Sequence, residues 1–210
     1  MSFIYLHGFA SSPKSAKAVY LGDRFQLLQQ PLLIPDLNQG DFSHLTLSRQ
    51  MQQVAELFSP LEPVTLIGSS LGGLTAAWLG DRHAQVQRLV LLAPAFGFAA
   101  NWLARLGEAQ VQQWQQTGYM PVYHYSEGRS LPLHYNFLAD AQQYDDTQLQ
   151  RSVPTLILHG IHDEVIPVEA SRAYAATRPW VKLVELDSDH ALGNVQAEIW
   201  QHIQTFCDLT

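Results

Sequence analysis

The stretch that most limits what this chain can become is Val64-Thr65-Leu66-Ile67-Gly68-Ser69-Ser70-Leu71-Gly72-Gly73. A β-prone apolar run passes into G-x-S-x-G and then into a helix-forming run, Gly73-Leu74-Thr75-Ala76-Ala77-Trp78-Leu79. A strand that turns into a helix over five residues is tight, and it pushes the central serine out at the top of a sheet. Gly68 and Gly72 flank Ser70 because side chains there would collide with the neighbouring strand and helix. Leu71 then heads a helix, where its N–H has no intrahelical acceptor and is free to stabilise an oxyanion. Ser69 is the nearer rival as nucleophile, but it occupies the wrong slot and suits a local hydrogen-bonding role.

The rest of the chain fits around that turn. Phe3-Ile4-Tyr5-Leu6 reads as a buried strand ending at His7-Gly8-Phe9, followed by a helix from about Ser15 to Leu28. Leu32-Leu33-Ile34-Pro35 is the next strand, and Leu47, Met51, Val54, Leu57 and Phe58 mark a helix from about Thr46 to Phe58. After the Ser70 unit, Val86 to Ala93 is a further strand stopped by Pro94. Strands alternating with helices argue for parallel βαβ units in a doubly wound sheet. The alternation pauses from about 96 to 151, a stretch rich in aromatics that reads as an insertion over the sheet. Within it Leu103, Leu106, Val111 and Trp114 lie on a helical period, a hairpin turns at Glu127-Gly128, and Tyr135 to Tyr144 reads as a helix. The alternation resumes with the strand Val153–Leu158, the loop His159 to Pro167, a helix from about Val168 to Thr177, the strand Val181–Leu186 and a last helix from about Val195 to Cys207.

Open parallel sheets carry their sites at the C-terminal strand ends. Ser70, Asp163 and His190 fall there in that order. Serine needs a base to become a nucleophile, and an unperturbed imidazole titrates near ~6.5, so it is available near neutral pH. A buried carboxylate fixes the imidazole tautomer. Among nine histidines only His190 follows the last strand at a loop-to-helix junction. His7 and His159 end strands and suit loop packing, and His162 is too close to Asp163 to serve Ser70. Glu164, Asp187 and Asp189 are the rivals of Asp163. The second oxyanion donor is expected from the loop after an early strand, here the N–H of Phe9, although Gly8-Phe9 also reads as a tight turn with a core phenylalanine. No H-E-x-x-H or H-x-H spacing occurs, so no metal or other cofactor is expected.

With these residues in hand the chain resembles the α/β-hydrolases of the small YqiA/YcfP-like esterase group. The resemblance rests on Tyr5-Leu6-His7-Gly8-Phe9, Ser11-Ser12-Pro13-Lys14-Ser15-Ala16-Lys17-Ala18, Gly68–Gly73, His159-Gly160 with Asp163-Glu164-Val165, and Asp189-His190-Ala191. It implies a cytoplasmic carboxylic-ester hydrolase with serine, aspartate and histidine at the positions chosen above. Tyr123 to Phe137 looks closer to the caps of acyl-protein thioesterase and mycophenolic-glucuronide esterase relatives.

The expectation is therefore a three-layer α/β-hydrolase fold, one domain over residues 1–210, with about six parallel strands and a cap at about 96–151. Since the chain begins at the oxyanion strand, the first two strands of the fuller fold are expected to be missing. Ser70 would attack an ester carbonyl, His190 would serve as base and then acid, Asp163 would orient His190, and the N–H groups of Leu71 and Phe9 would hold the oxyanion. Trp102 and Trp114 are the candidate acyl-binding residues. A thioesterase, in which Lys14 and Lys17 meet a phosphate, and a non-catalytic binding protein are the alternatives. Composition sets the partners. A net charge of -7 disfavours nucleic acid, and the longest apolar stretch is broken by Pro94 and Gly97, so no membrane span is expected. The N-terminus has no basic region of a signal peptide, and one cysteine excludes an internal disulfide framework. The expected partner is a small-molecule ester; nothing in the sequence fixes an oligomeric state.

Overall fold

A computed structural model describes residues 2–209; Met1 and Thr210, the ends of the expected domain, lie outside them. Six strands form one sheet: β1 (Ser2–Leu6), β2 (Leu32–Leu33), β3 (Val64–Ser69), β4 (Val86–Leu92), β7 (Thr155–Gly160) and β8 (Val181–Leu186). Their order is β2-β1-β3-β4-β7-β8, and every pairing is parallel. Successive side chains of a strand point to opposite faces, and here both sets are apolar because both faces are covered. Phe3, Tyr5, Ile67, Val90, Leu92, Leu156 and Leu158 meet α1 (Ala16–Leu27) and α8 (Gln196–Cys207). Ile4, Leu6, Leu66, Leu89, Leu91 and Ile157 face the opposite side, with α2 (Leu47–Ala55) and α3 (Leu71–Arg82). The helix α7 (Val168–Ala176) covers β7 and β8.

Local chemistry sets the ends. Ser15 caps α1 by accepting from the Ala18 N–H, and Thr46 caps α2 by accepting from the Arg49 N–H. Leu47, Gln50, Met51 and Val54 form the buried stripe of α2. The polar member, Gln50, is satisfied by the Thr75 hydroxyl at 3.1 Å. That helix stops at Ala55, short of the expected Phe58, so Leu57 faces outward. Pro60 and Pro63 lie in the connection that follows. In α3, ten of twelve residues are buried, because that helix is covered on all sides.

The insertion between β4 and β7 has its own elements: α4 (Phe98–Leu106), α5 (Glu108–Thr117), the antiparallel hairpin of β5 (Tyr119–His124) and β6 (Arg129–His134), and α6 (Asn136–Ala141). Three sequence expectations are corrected here. The helical period through Leu103, Leu106, Val111 and Trp114 is cut at Gly107, whose φ of +75° ends α4 and starts α5. The hairpin loop spans residues 125–128, with the N–H groups of Glu127 and Gly128 both on the His124 carbonyl. The α6 helix is shorter than the expected 135–144. The chain returns to the sheet through Arg151, whose guanidinium donates to the carbonyls of Gly80, His83 and Val86, from the end of α3 to the start of β4.

Candidate active site

Ser70 sits between β3 and α3 with φ +52° and ψ −117°, a conformation that L-residues avoid. The strain is held in place by the surroundings. The Ser70 N–H donates to the Leu92 carbonyl of β4, and its own carbonyl accepts from Ala95. A Cβ on Gly72 would run into the backbone carbonyls of Leu6 and His7, and one on Gly68 into the backbone of Gly72 and Gly73. The elbow therefore needs both glycines, as the motif implies.

Three expected residues converge there. Ser70 Oγ lies 3.1 Å from His190 Nε2, and His190 Nδ1 lies 2.7 Å from Asp163 Oδ2. With the proton on Nδ1, His190 donates to Asp163 and accepts from the Ser70 hydroxyl. The other Asp163 oxygen accepts from the N–H groups of Val165 and Ile166, both at 2.8 Å. Burial alone would raise the Asp163 carboxyl; hydrogen bonds from His159, His190 and the Ile166 N–H outweigh it and hold the group well below the usual carboxylate range. A Cβ on Gly160 would strike the carbonyls of Ser188 and Asp189, so the loop carrying His190 rests directly on the end of β7.

Two of the rival acids, Asp187 and Asp189, are engaged elsewhere. Asp187 pairs with His162 at 2.9 Å on the surface, and Asp189 accepts from the Leu192 N–H in its own turn. The carbonyl of Glu164 accepts from Arg105. Ser69 is buried, with its hydroxyl on Tyr5. Tyr5 is pushed far above its ordinary value by burial, which leaves it a neutral phenol bridging Ser69 and Ser15. The N–H groups of Leu71 and Phe9 come from the first residue of α3 and from the turn after β1. Gly8 brings that turn against the elbow: a Cβ there would lie 3.4 Å from the Ser70 Cβ.

A cavity of about 780 Å³ opens over Ser70 and His190, lined on its apolar side by Phe9, Phe98 and Trp102. Trp102 thus lies where the sequence suggested, half-buried against Phe9, Phe98 and Phe137. Trp114 does not. It is 1% exposed behind Trp102, its Nε1–H donating to the Leu133 carbonyl at 2.8 Å, and it is absent from the cavity lining. The two lysines also part. Lys14 is exposed, whereas Lys17 lines the cavity and donates from Nζ to the Ala191 carbonyl at 2.7 Å, beside His190. Burial lowers the Lys17 ammonium to about 8 against the pull of Asp189 and Asp163.

His159 was read as loop packing. It is fully buried, with Nε2 3.2 Å from Asp163 Oδ2. The available signal was its spacing, four residues before the acid at a strand end. Among the described residues no three His, Cys, Asp or Glu side chains are grouped as a metal ion would require, and no helix is long and apolar enough to cross a membrane.

The family described as Uncharacterised protein family (UPF0227) matches residues 2–207. The chain belongs to this family. No curated protein matches the sequence. Solved structures match this UPF0227 chain from end to end. Mouse alpha/beta hydrolase domain-containing protein 10 superposes with a TM-score of 0.79 at 23% identity, covering 99% of this chain and 88% of that one. Est1E from Butyrivibrio proteoclasticus, in its structure with ferulic acid, gives 0.79 at 20% identity over 97% and 86%. A monoacylglycerol lipase from Paleococcus ferrophilus gives 0.76 at 16% identity over 99% and 94%. These likenesses establish the α/β-hydrolase fold for the UPF0227 chain, as its sequence implied.

Proposed function

We propose that this protein is a serine hydrolase that cleaves carboxylic esters of uncharged, short-to-medium acyl chains. The observation that carries the reading is the unbroken line from Ser70 Oγ through His190 to Asp163 at 3.1 and 2.7 Å, at the base of an apolar cavity. The esterase and lipase among the structural neighbours support it.

Chemically, Ser70 Oγ attacks the ester carbonyl while its proton passes to His190 Nε2. The tetrahedral oxyanion is held by the N–H groups of Leu71 and Phe9. Collapse expels the alcohol, which takes the proton from His190, and leaves an acyl group on Ser70. Water then enters by the same route in reverse and releases the acid. Asp163 stays ionised throughout, because its oxygens are met by donors in every direction. The aromatic wall of Phe9, Phe98 and Trp102 takes the acyl chain, since ligand pockets are mostly apolar with few polar groups.

The test is fluorophosphonate labelling followed by hydrolysis of nitrophenyl esters. Ser70→Ala abolishes labelling and lowers kcat by at least ~10⁴-fold, while Ser69→Ala keeps both within about an order of magnitude. Equal losses in the two variants, or none, would remove the covalent mechanism. Faster turnover of acyl-CoA than of any simple ester would move the substrate to a thioester.

A further inference from the structure

The carboxylate of Asp163 has one more partner than a serine triad requires. His159 stands four residues earlier, at the end of β7, and both side chains are fully buried. Its Nε2 lies 3.2 Å from Asp163 Oδ2 and 2.9 Å from the Ile166 carbonyl. Both of those atoms accept only, so Nε2 carries a proton. Its Nδ1 lies 2.8 Å from Ser171 Oγ, in the buried face of α7. A serine hydroxyl can donate there, which completes a neutral imidazole with a single tautomer. Oδ2 of Asp163 thus faces two imidazole N–H groups, His159 and His190, while Oδ1 faces two backbone N–H groups.

We infer that His159, held at its other ring nitrogen by Ser171, is a positioning residue that fixes the Asp163 carboxylate and takes a share of its charge away from His190. This rests on the triad reading above. A carboxylate with two donors on one oxygen and one imidazole on the other could still swing about its Cβ–Cγ bond. The second imidazole on Oδ2 closes that freedom and leaves no lone pair for a proton. It also weakens the hold of Oδ2 on the His190 proton, since one acceptor is divided between two donors. The titratable groups that face this carboxylate are His159 from β7, His190 from the loop after β8 and Lys17 from α1, and Glu185 of β8 lies beside His159 in the sheet register.

The consequences differ from those of simple packing. His159→Leu keeps the volume and removes the donor. Undivided, Oδ2 then binds the imidazolium of His190 more strongly, so the acid limb of the kcat/KM profile moves up by about 0.5 pH unit. The loosened carboxylate lowers kcat about tenfold with KM little changed. His159→Gln places an amide N–H near the lost Nε2 position and restores the wild-type limb, with kcat within about threefold. Ser171→Ala removes the hydroxyl that donates to Nδ1, which makes the Nε2–H a weaker donor to Asp163 and shifts the limb in the same direction as His159→Leu, by less. The measurement is the pH dependence of nitrophenyl butyrate hydrolysis by wild type and the three variants, each also labelled with a fluorophosphonate. If His159→Leu does not fold, Ser171→Ala decides the matter by the same limb. An unshifted limb in labelled His159→Leu and Ser171→Ala, or equal damage by Leu and Gln, overturns the role of His159 and leaves the serine mechanism standing. Wild-type protein that takes no label at Ser70 removes the triad reading itself, and the positioning role with it.

Discussion

On the floor of the cavity, the backbones of β1, β3 and α3 press against one another. The roof made by α4, α5, the β5–β6 hairpin and α6 reaches the floor mainly through side chains. Gly72 lies against the carbonyls of Leu6 and His7, and Gly160 against those of Ser188 and Asp189, so on the floor not even one methyl can be added. In the roof, α4 has no fully buried residue, and its joints with neighbouring elements fall at Gly97 and Gly107. Its cohesion comes from rings: Phe9, Phe98, Trp102, Trp114 and Phe137 touch at centroid distances between 5.1 and 6.3 Å. A floor set by backbone contact holds reacting groups to fractions of an ångström. A roof set by ring packing can change shape by exchanging one ring for another. On this view chemistry belongs to the floor and selectivity to the roof.

The sharpest way to break that division is Asp163→Asn, which changes one floor atom and nothing of the roof. It should lower kcat by about 10⁴-fold at every acyl length, because His190 loses its acceptor. A loss confined to long acyl chains would mean that floor and roof are not separate. Next is Trp114→Ala. This ring is buried behind the cavity wall, so the variant should lose about 3–5 kcal/mol of stability in urea denaturation, and any folded fraction should keep its chain-length profile. Trp102→Ala should do the reverse, with modest loss of stability and a fall in kcat/KM that grows from acetate to longer esters, by at most about 0.8 kcal/mol per methylene. Parallel loss at all lengths would take Trp102 out of the acyl wall.

The smallest effect concerns the foot of the roof. Burial pushes the Asp146 carboxyl up to about 6, although its Oδ2 accepts from the Gly97 N–H at the start of α4. The folded value lies above the unfolded one, so folding favours the protonated acid. Stability is therefore lost as pH rises from about 4 through 6. Asp146→Asn should add on the order of 1 kcal/mol at pH 8 and nothing at pH 4 or below. Denaturation curves at the two values check it; an equal change at both would show that charge is not the cause.

The division also explains what could be read in advance. The floor was legible because its constraints are local in sequence. Gly68 and Gly72 bracket Ser70, and nucleophile, acid and histidine follow sheet order. The six parallel strands followed from alternating apolar runs and helical periods. The roof was legible only in outline. Helical spacing places Leu106 and Trp114 on one period, but it cannot register that Gly107 at φ +75° re-aims the second half. That turn sends Trp114 behind the wall while Trp102 stays in it. Leu57 was misplaced for a related reason: its period continued past the point where α2 ended. His159 escaped because its partners, Asp163 and Ser171, come together only when β7 and α7 pack, and a buried histidine at a strand end has the same sequence signature whatever it touches.

Phe9 belongs to both halves. Its backbone lies in the turn after β1, while its ring sits among Phe42, Phe98, Trp102 and Phe137. The loop just beyond it is also tied to the hairpin, by the Tyr125 N–H on the Ala10 carbonyl at 2.9 Å. A lid transplanted from a relative in place of residues 98–141 would therefore arrive with a socket cut for some other ring at position 9. Unless that ring travelled with it, the graft would tilt the proposed oxyanion donor as it altered the proposed acyl wall, and turnover and selectivity would change together. In a lid exchange, the lid and residue 9 therefore form a single unit of inheritance.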